Sequence, residues 1–207
     1  MLNRKRFIQQ AAMSAGAMLA GPSIMESASY FNPLKITILH TNDTHSRLEP
    51  FPMDGSRNQG LGGIASRGKL ISKIRNEEEN VLLLFVGDIF QGTPYFNIYK
   101  GEPEIKAMTS LGYDATTIGN HDFDAGMESL ATQLTRHANF PMLVCNYDFT
   151  GTAMENKTQP YKIFKKQKLK IGVFGIGIEP KGLIPENLFG VMKYLDPVQS
   201  ANEVADQ

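Results

Sequence analysis

Val81-Leu82-Leu83-Leu84-Phe85-Val86-Gly87-Asp88 is an unbroken apolar run closed by a glycine and a carboxylate. A run with no polar alternation reads as a buried strand of the kind found in parallel sheets. Two further stretches share its form. Ile36-Thr37-Ile38-Leu39 precedes Asp43-Thr44-His45, and Ala115-Thr116-Thr117-Ile118 precedes Gly119-Asn120-His121-Asp122. Three short acidic and imidazole clusters thus each follow a strand-like run, and oxygen and imidazole ligands gathered at one sheet edge suit a pair of hard-to-borderline divalent metals.

The rest of the chain continues the alternation. Strands are expected at Lys35 to Leu39, Val81 to Val86, Ala115 to Ile118, Pro141 to Cys145, Tyr161 to Phe164 and Lys170 to Ile176. Apolar residues at helical spacing occupy Ile64 to Asn76, Glu102 to Leu111 and Gly126 to His137, with Pro103 in a first-turn position and Gly112 in a helix-ending one. This is the βαβ pattern of an α/β sheet with flanking helices. Glu49 to Gly63, rich in Pro, Gly, Asp and Asn, reads as a loop, either beside the metal edge or on plain surface. Lys165-Lys166-Gln167-Lys168 separates two strand-like runs and reads as a solvated hairpin turn. Cys145 lies in the apolar run Met142-Leu143-Val144-Cys145 and reads as a packing residue.

In a mostly parallel sheet, ligands gather outside the carboxyl ends of the strands, where each cluster lies. Asp43 and His45 are alternate residues leaving a strand, so both should point toward one cation. Asp88 has two carboxylate oxygens with which to bridge two cations, and the Asn120 carbonyl would serve the second. Gly87 and Gly119 let the backbone turn just before the ligands.

With 207 residues, 42% of them hydrophobic, and a formal net charge of +0, the chain is long enough for one sizeable core. Balanced charge gives no long-range pull toward a nucleic acid polymer or anionic lipid, so phosphate recognition must be local. The single cysteine excludes an intrachain disulfide. Residues 1–30 read differently: the basic Asn3-Arg4-Lys5-Arg6-Phe7-Ile8 leads into a short small-residue apolar stretch from Ala11 to Gly21. That is the order of an export signal, twin-arginine-like with Lys5 in place of the second arginine, and it is too short for stable membrane insertion. The alternative is a simple N-terminal arm. Export would put the protein in the periplasm or outside the cell.

The stretch from Ile36 to His45, with Tyr113 to Asp124, resembles the 5'-nucleotidase branch of the calcineurin-like metallophosphoesterases. The similarity runs from about Leu34 to the end of the chain and includes Asn139 to Asn146 and Lys170 to Gly175. Asp122 departs from the branch, which usually has glutamate there. The resemblance implies a metallophosphoesterase-like layered sheet, with residues 31–207 as the N-terminal portion of the catalytic domain. It implies two divalent ions (Mn, Zn, Co or Mg), with Asp43 and His45 as ligands of the first, Asp88 as the bridge and Asn120 as a ligand of the second. His121 becomes the catalytic histidine with Asp124 as its partner, Asp122 being the second choice. The implied activity is two-metal hydrolysis of a small-molecule phosphate ester, a nucleotide or UDP-sugar.

His40, His137 and Arg67 are assigned local or surface roles, and Asn146 either a packing role or a contact to the ligands or substrate. The family also draws later histidines, one alone and then a Gly-His-x-His pair, whereas no histidine follows His137. Asp196 to Asn202 reads as the start of another helix. The expectation is therefore a domain truncated at its C-terminus. Alternatives are an inactive metal-binding fragment, half of a split enzyme completed by a separate C-terminal nucleotide-binding chain, and a 2',3'-cyclic-nucleotide or non-nucleotide phosphoesterase.

Overall fold

The computed structural model describes residues 34–207, and the expected export segment lies outside the described residues. In chain order the elements are β1 (Thr37–Thr41), α1 (Ile64–Glu77), β2 (Val81–Phe85), α2 (Pro94–Tyr99), α3 (Glu102–Leu111), β3 (Ala115–Thr116) and a 3-10 turn at His121–Phe123. They continue as α4 (Met127–His137), β4 (Met142–Leu143), β5 (Tyr147–Asp148), β6 (Thr158–Gln159), β7 (Tyr161–Lys166), β8 (Leu169–Phe174), α5 (Glu186–Phe189), β9 (Lys193–Tyr194) and α6 (Pro197–Ala205). Strands β1, β2, β3, β4 and β6 pair in that order, every pair parallel, as the α/β reading requires.

The apolar run of β2 is explained by cover on both faces. Leu83 and Phe85 join the cluster that contains Ile71 of α1, Ile105 and Met108 of α3 and Leu130 of α4. Leu82 and the partly buried Leu84 face the other way, with Ala115, Leu143 and Phe164. Each fully buried side chain of this size contributes about 1.5–3 kcal/mol. The covering layer on that second face includes β7 and β8, which form an antiparallel hairpin turned at Gln167 with φ +51° and separate from the parallel sheet.

Helix ends follow local chemistry. α3 has Pro103 in its first turn and Gly112 in the left-handed conformation at its C-terminus, φ +69°. Arg75 of α1 donates to the last carbonyls, Nη1 to Leu111 O at 2.6 Å and Nη2 to Gly112 O at 2.5 Å, which favours a cation at that helix end. α2 has no counterpart among the expected helices, because Pro94-Tyr95-Phe96-Asn97-Ile98-Tyr99 has no helical period long enough to register. It forms because Phe96 is buried and stacks on Phe90 with ring centroids 5.3 Å apart.

β3 covers only half of its expected length. After Thr117 N bonds Phe85 O at 3.0 Å, the chain leaves the ladder to carry Gly119 beside Gly87. The carboxyl ends of β1, β2 and β3 are adjacent, so their following loops meet at one edge. Among the described residues, no helix is long and apolar enough to cross a membrane.

Candidate metal centre

The loops after β1 and β2 extend the parallel ladder past the strands. Val86 N donates to Thr41 O at 2.9 Å, Asp43 N to Gly87 O at 3.0 Å, His45 N to Asp88 O at 3.2 Å and Ser46 N to Ile89 O at 2.8 Å. The backbone is nevertheless not extended. Asp43, His45, Ser46 and Asp88 all have left-handed φ, at +49°, +45°, +54° and +59°. Asp43 and His45 therefore meet not by the strand alternation expected of them, but because two left-handed residues curl the loop. His45 Nε2 lies 3.7 Å from Asp43 Oδ1. A non-glycine residue costs about 1–2 kcal/mol in this conformation, and the cross-loop bonds hold it there.

Asp43, His45 and Asp88 each offer one ligand atom, and these atoms all lie within 4.8 Å of one another. Two carboxylates and one imidazole so close make an oxygen and nitrogen donor set suited to a hard-to-borderline divalent cation. His45 Nδ1 is 3.2 Å from Phe90 O, so a proton on Nδ1 donates to that carbonyl and leaves the Nε2 lone pair free for a metal. Asp43 also accepts from the Asn42 side-chain amide.

His121 stands against this cluster, its ring centroid 5.2 Å from that of His45 in an edge arrangement. Its backbone amide donates to Asp88 Oδ1 at 2.9 Å, and its Nδ1 is 2.9 Å from Asp124 Oδ2. The hydrogen bond to Asp124 raises the imidazole pKa. Partial burial opposes the rise, and the charges of Asp124, Asp88 and Asp122 add to it. The imidazolium is thereby favoured, with Nε2 left as a proton donor.

Asp122, the second choice as partner of His121, has a different job. It is 1% exposed. Its Oδ1 accepts from Ile89 N at 2.8 Å and Phe90 N at 3.3 Å, and its Oδ2 from Gly119 N at 2.8 Å and Asp88 N at 3.1 Å. One carboxylate thus ties the second cluster to the third. Burial pushes its pKa up to about 6, against the donating amides. The glycines complete this floor. Gly87 takes φ +89°, as a sharp turn demands, while Gly119 supplies room: a Cβ there would come within 2.2 Å of Asp88 Oδ1.

Behind His45, Ser46 is a second tie point that no sequence motif reveals. Its carbonyl accepts from Thr93 Oγ1 at 3.0 Å, and its buried hydroxyl faces Glu104 of α3. Glu104 is 3% exposed, and neither carboxyl oxygen closes a hydrogen bond of ordinary geometry. Burial raises its pKa, the Ser46 hydroxyl opposing in part, so the neutral acid is favoured.

Asn120 immediately precedes the 3-10 turn, its side chain making no capping bond, and is flanked by Gly119 and His121, both in contact with Asp88. Asn146 is fully buried, and its amide is committed to Gly177, donating to the carbonyl at 2.9 Å and accepting from N–H at 2.7 Å. His40 is exposed on β1, and His137 ends α4. Cys145 is a half-buried free thiol whose pKa burial raises. Arg67 shares a cavity of about 540 Å³ with Asp43 and His45, and Phe51, Gly62 and Gly63 of the Glu49 to Gly63 segment line the same cavity.

The chain is similar to known proteins in both sequence and fold. The family model described as "Calcineurin-like phosphoesterase" matches residues 36–182. Among relatives, a snake venom 5'-nucleotidase from Gloydius brevicauda is 42% identical over 147 residues, covering 68% of this chain and 25% of the relative. A 5'-nucleotidase from Vibrio cholerae is 41% identical over 178 residues, covering 82% and 30%. The crystal structure of a 5'-nucleotidase precursor from Thermus thermophilus superposes with a TM-score of 0.73 at 32% identity, covering 83% and 34%. The chain thus spans about a quarter to a third of the length of these relatives. In each, the matched region is part of one longer chain, which gives no support to a separate C-terminal partner chain.

Proposed function

The chain belongs to the calcineurin-like phosphoesterase family, and from that premise we propose that it hydrolyses a small-molecule phosphate ester, a nucleotide or UDP-sugar, at a pair of divalent metal ions. The observation that carries this reading is the Asp43, His45 and Asp88 donor set beside a histidine oriented by Asp124. The names of the relatives support the nucleotide class.

In this reading Asp43 and His45 would hold one ion, Asp88 would be shared between the two, and Asn120 would contribute to the second. Manganese, zinc, cobalt and magnesium all suit oxygen and imidazole donors. When bound, such ions supply an acidified water as nucleophile and neutralise charge on the phosphoryl oxygens. The protein's own contribution is orientation and a proton. Phe90 O fixes the His45 tautomer, and Asp122 fixes the backbone that presents Asp88. His121, its Nδ1 engaged by Asp124, donates a proton from Nε2 to the phosphoryl group or to the leaving oxygen as the phosphorus to oxygen bond breaks. Asp124 keeps that imidazole in register without itself taking the proton. The basic and then apolar order of residues 3–21 supports export to the periplasm or outside the cell.

Replacing His121 by alanine tests the assignment. With manganese or zinc supplied, metal content by plasma mass spectrometry should stay near that of the wild type, while phosphate release from AMP falls by about two orders of magnitude, as loss of a positioned electrostatic donor does. Undiminished release would remove His121 from the chemistry. Loss of metal together with turnover would make it a structural residue.

A further inference from the structure

The first turn of α3 carries a carboxyl group that the proposed chemistry does not use. Glu104 is 3% exposed, and both of its carboxyl oxygens lack a hydrogen bond of ordinary geometry, as does the hydroxyl of Ser46, itself 1% exposed. We propose that Glu104 is a positioning residue for the metal ligand His45, acting through Ser46. The inference rests on the metal-centre reading above.

The place of this acid in its helix is ordinary, but its burial is not. An acidic side chain in a first turn suits the free amides of the helix start, and such a side chain is normally solvated. Here the carboxyl is sealed from solvent and faces the Ser46 hydroxyl as well as its own backbone amide. Burying a polar group without full hydrogen bonding costs stability, and an apolar side chain of similar volume would avoid that cost. A local choice that works against folding, placed directly behind a metal ligand, is what a site maintained for its geometry presents.

Two routes carry the position of α3 to His45. Ser46 adjoins His45 and takes left-handed φ, +54°. Its amide donates to Ile89 O at 2.8 Å and its carbonyl accepts from Thr93 Oγ1 at 3.0 Å. With the hydroxyl set against Glu104 as well, the peptide that leaves His45 has little freedom to turn. The second route runs through Phe90. A Cβ on Gly101 would come within 2.3 Å of the Phe90 ring, so the start of α3 lies directly on that residue. The Phe90 carbonyl is the one 3.2 Å from His45 Nδ1. One helix start therefore backs both the chain beside His45 and the acceptor that sets its tautomer.

Glu104→Met separates positioning from packing, because methionine fills a similar volume without the acid. Its urea midpoint should equal or exceed that of the wild type, while calorimetric titration of the metal-free full chain with manganese shows affinity lowered about tenfold. Glu104→Gln keeps a polar head of the same shape and should recover the wild-type affinity. Ser46→Ala should weaken manganese about as much as Glu104→Met, and the double variant no more than either, since residues that act through one another are not additive. Undiminished affinity in Glu104→Met, or affinity lost only together with stability, overturns the positioning role and leaves the metal centre standing. Failure of Glu104→Gln to recover affinity, or additive losses in the double variant, does the same. Manganese binding to the wild type no tighter than to Asp88→Asn overturns the metal centre and the inference with it.

Discussion

Asp88 and Asp122 are carboxylates 34 residues apart whose environments differ in kind. Asp88 is half-buried, sits on left-handed backbone and keeps an oxygen within reach of the Asp43 and His45 donors. Asp122 is sealed from solvent and gives both oxygens to backbone amides of two loops. The first belongs to a rim in which two carboxylates and an imidazole lie within 4.8 Å of one another. The second belongs to a floor in which the amides that need acceptors have them. The fold is thus tied together below the site, while the rim holds its donor atoms close to one another.

The sharpest way to break this contrast is Asp122→Ala. Four amides would lose their acceptor, at about 1–3 kcal/mol for each group left buried and unpaired, so unfolding free energy should drop by about 3 kcal/mol or more. Urea denaturation reads it directly, and a loss below about 1 kcal/mol would mean that the floor carries no weight. A smaller effect is expected at the rim. Asp88→Asn keeps a carbonyl for the His121 amide and removes a like charge, so metal-free stability should move by no more than about 0.5 kcal/mol. Manganese affinity, followed by calorimetry, should by contrast fall at least about a hundredfold. Equal destabilisation by the two substitutions would erase the distinction between rim and floor.

The smallest effect concerns a slope. Glu104 has its pKa raised from the ordinary 4.5 by burial, so the native state binds that proton more tightly than the unfolded chain does. The stability this provides is complete below about pH 4.5 and is lost as pH rises through the raised native value. Glu104→Gln has no proton to lose. Across urea melts from about pH 4 to 7, the wild type should therefore lose stability relative to the variant as pH rises. A parallel course would show that Glu104 does not titrate in this window.

The rim is legible because its chemistry is written in consecutive residues. Asp43 with His45, Gly87 with Asp88, and Gly119 through Asp122 each announce a loop after a strand, and the parallel sheet follows from the apolar run at Val81. The floor is not legible, because its meaning is in distances across the chain. Nothing local distinguishes Asp122 as an acceptor for Asp88, Ile89 and Phe90, or Glu104 as the neighbour of Ser46. The curl of Asp43 and His45 is hidden for the same reason. Left-handed φ at these residues is held by the bonds to Gly87, Asp88 and Ile89 across the chain. α2 escapes notice because one tertiary stack, Phe96 on Phe90, outweighs its weak period.

The ladder that carries the loops of β1 and β2 past the strands also sets an order of events during folding. His45 and the Phe90 carbonyl that orients it are 45 residues apart, and Asp88 and the His121 amide 33. No segment of the nascent chain therefore offers a divalent ion a preformed cage, because the donors converge only when distant strands have closed on one another. A metal bound at this edge acts as a latch on a finished structure rather than as a seed for an unfinished one. It prolongs the lifetime of the native state and does little to hasten its arrival.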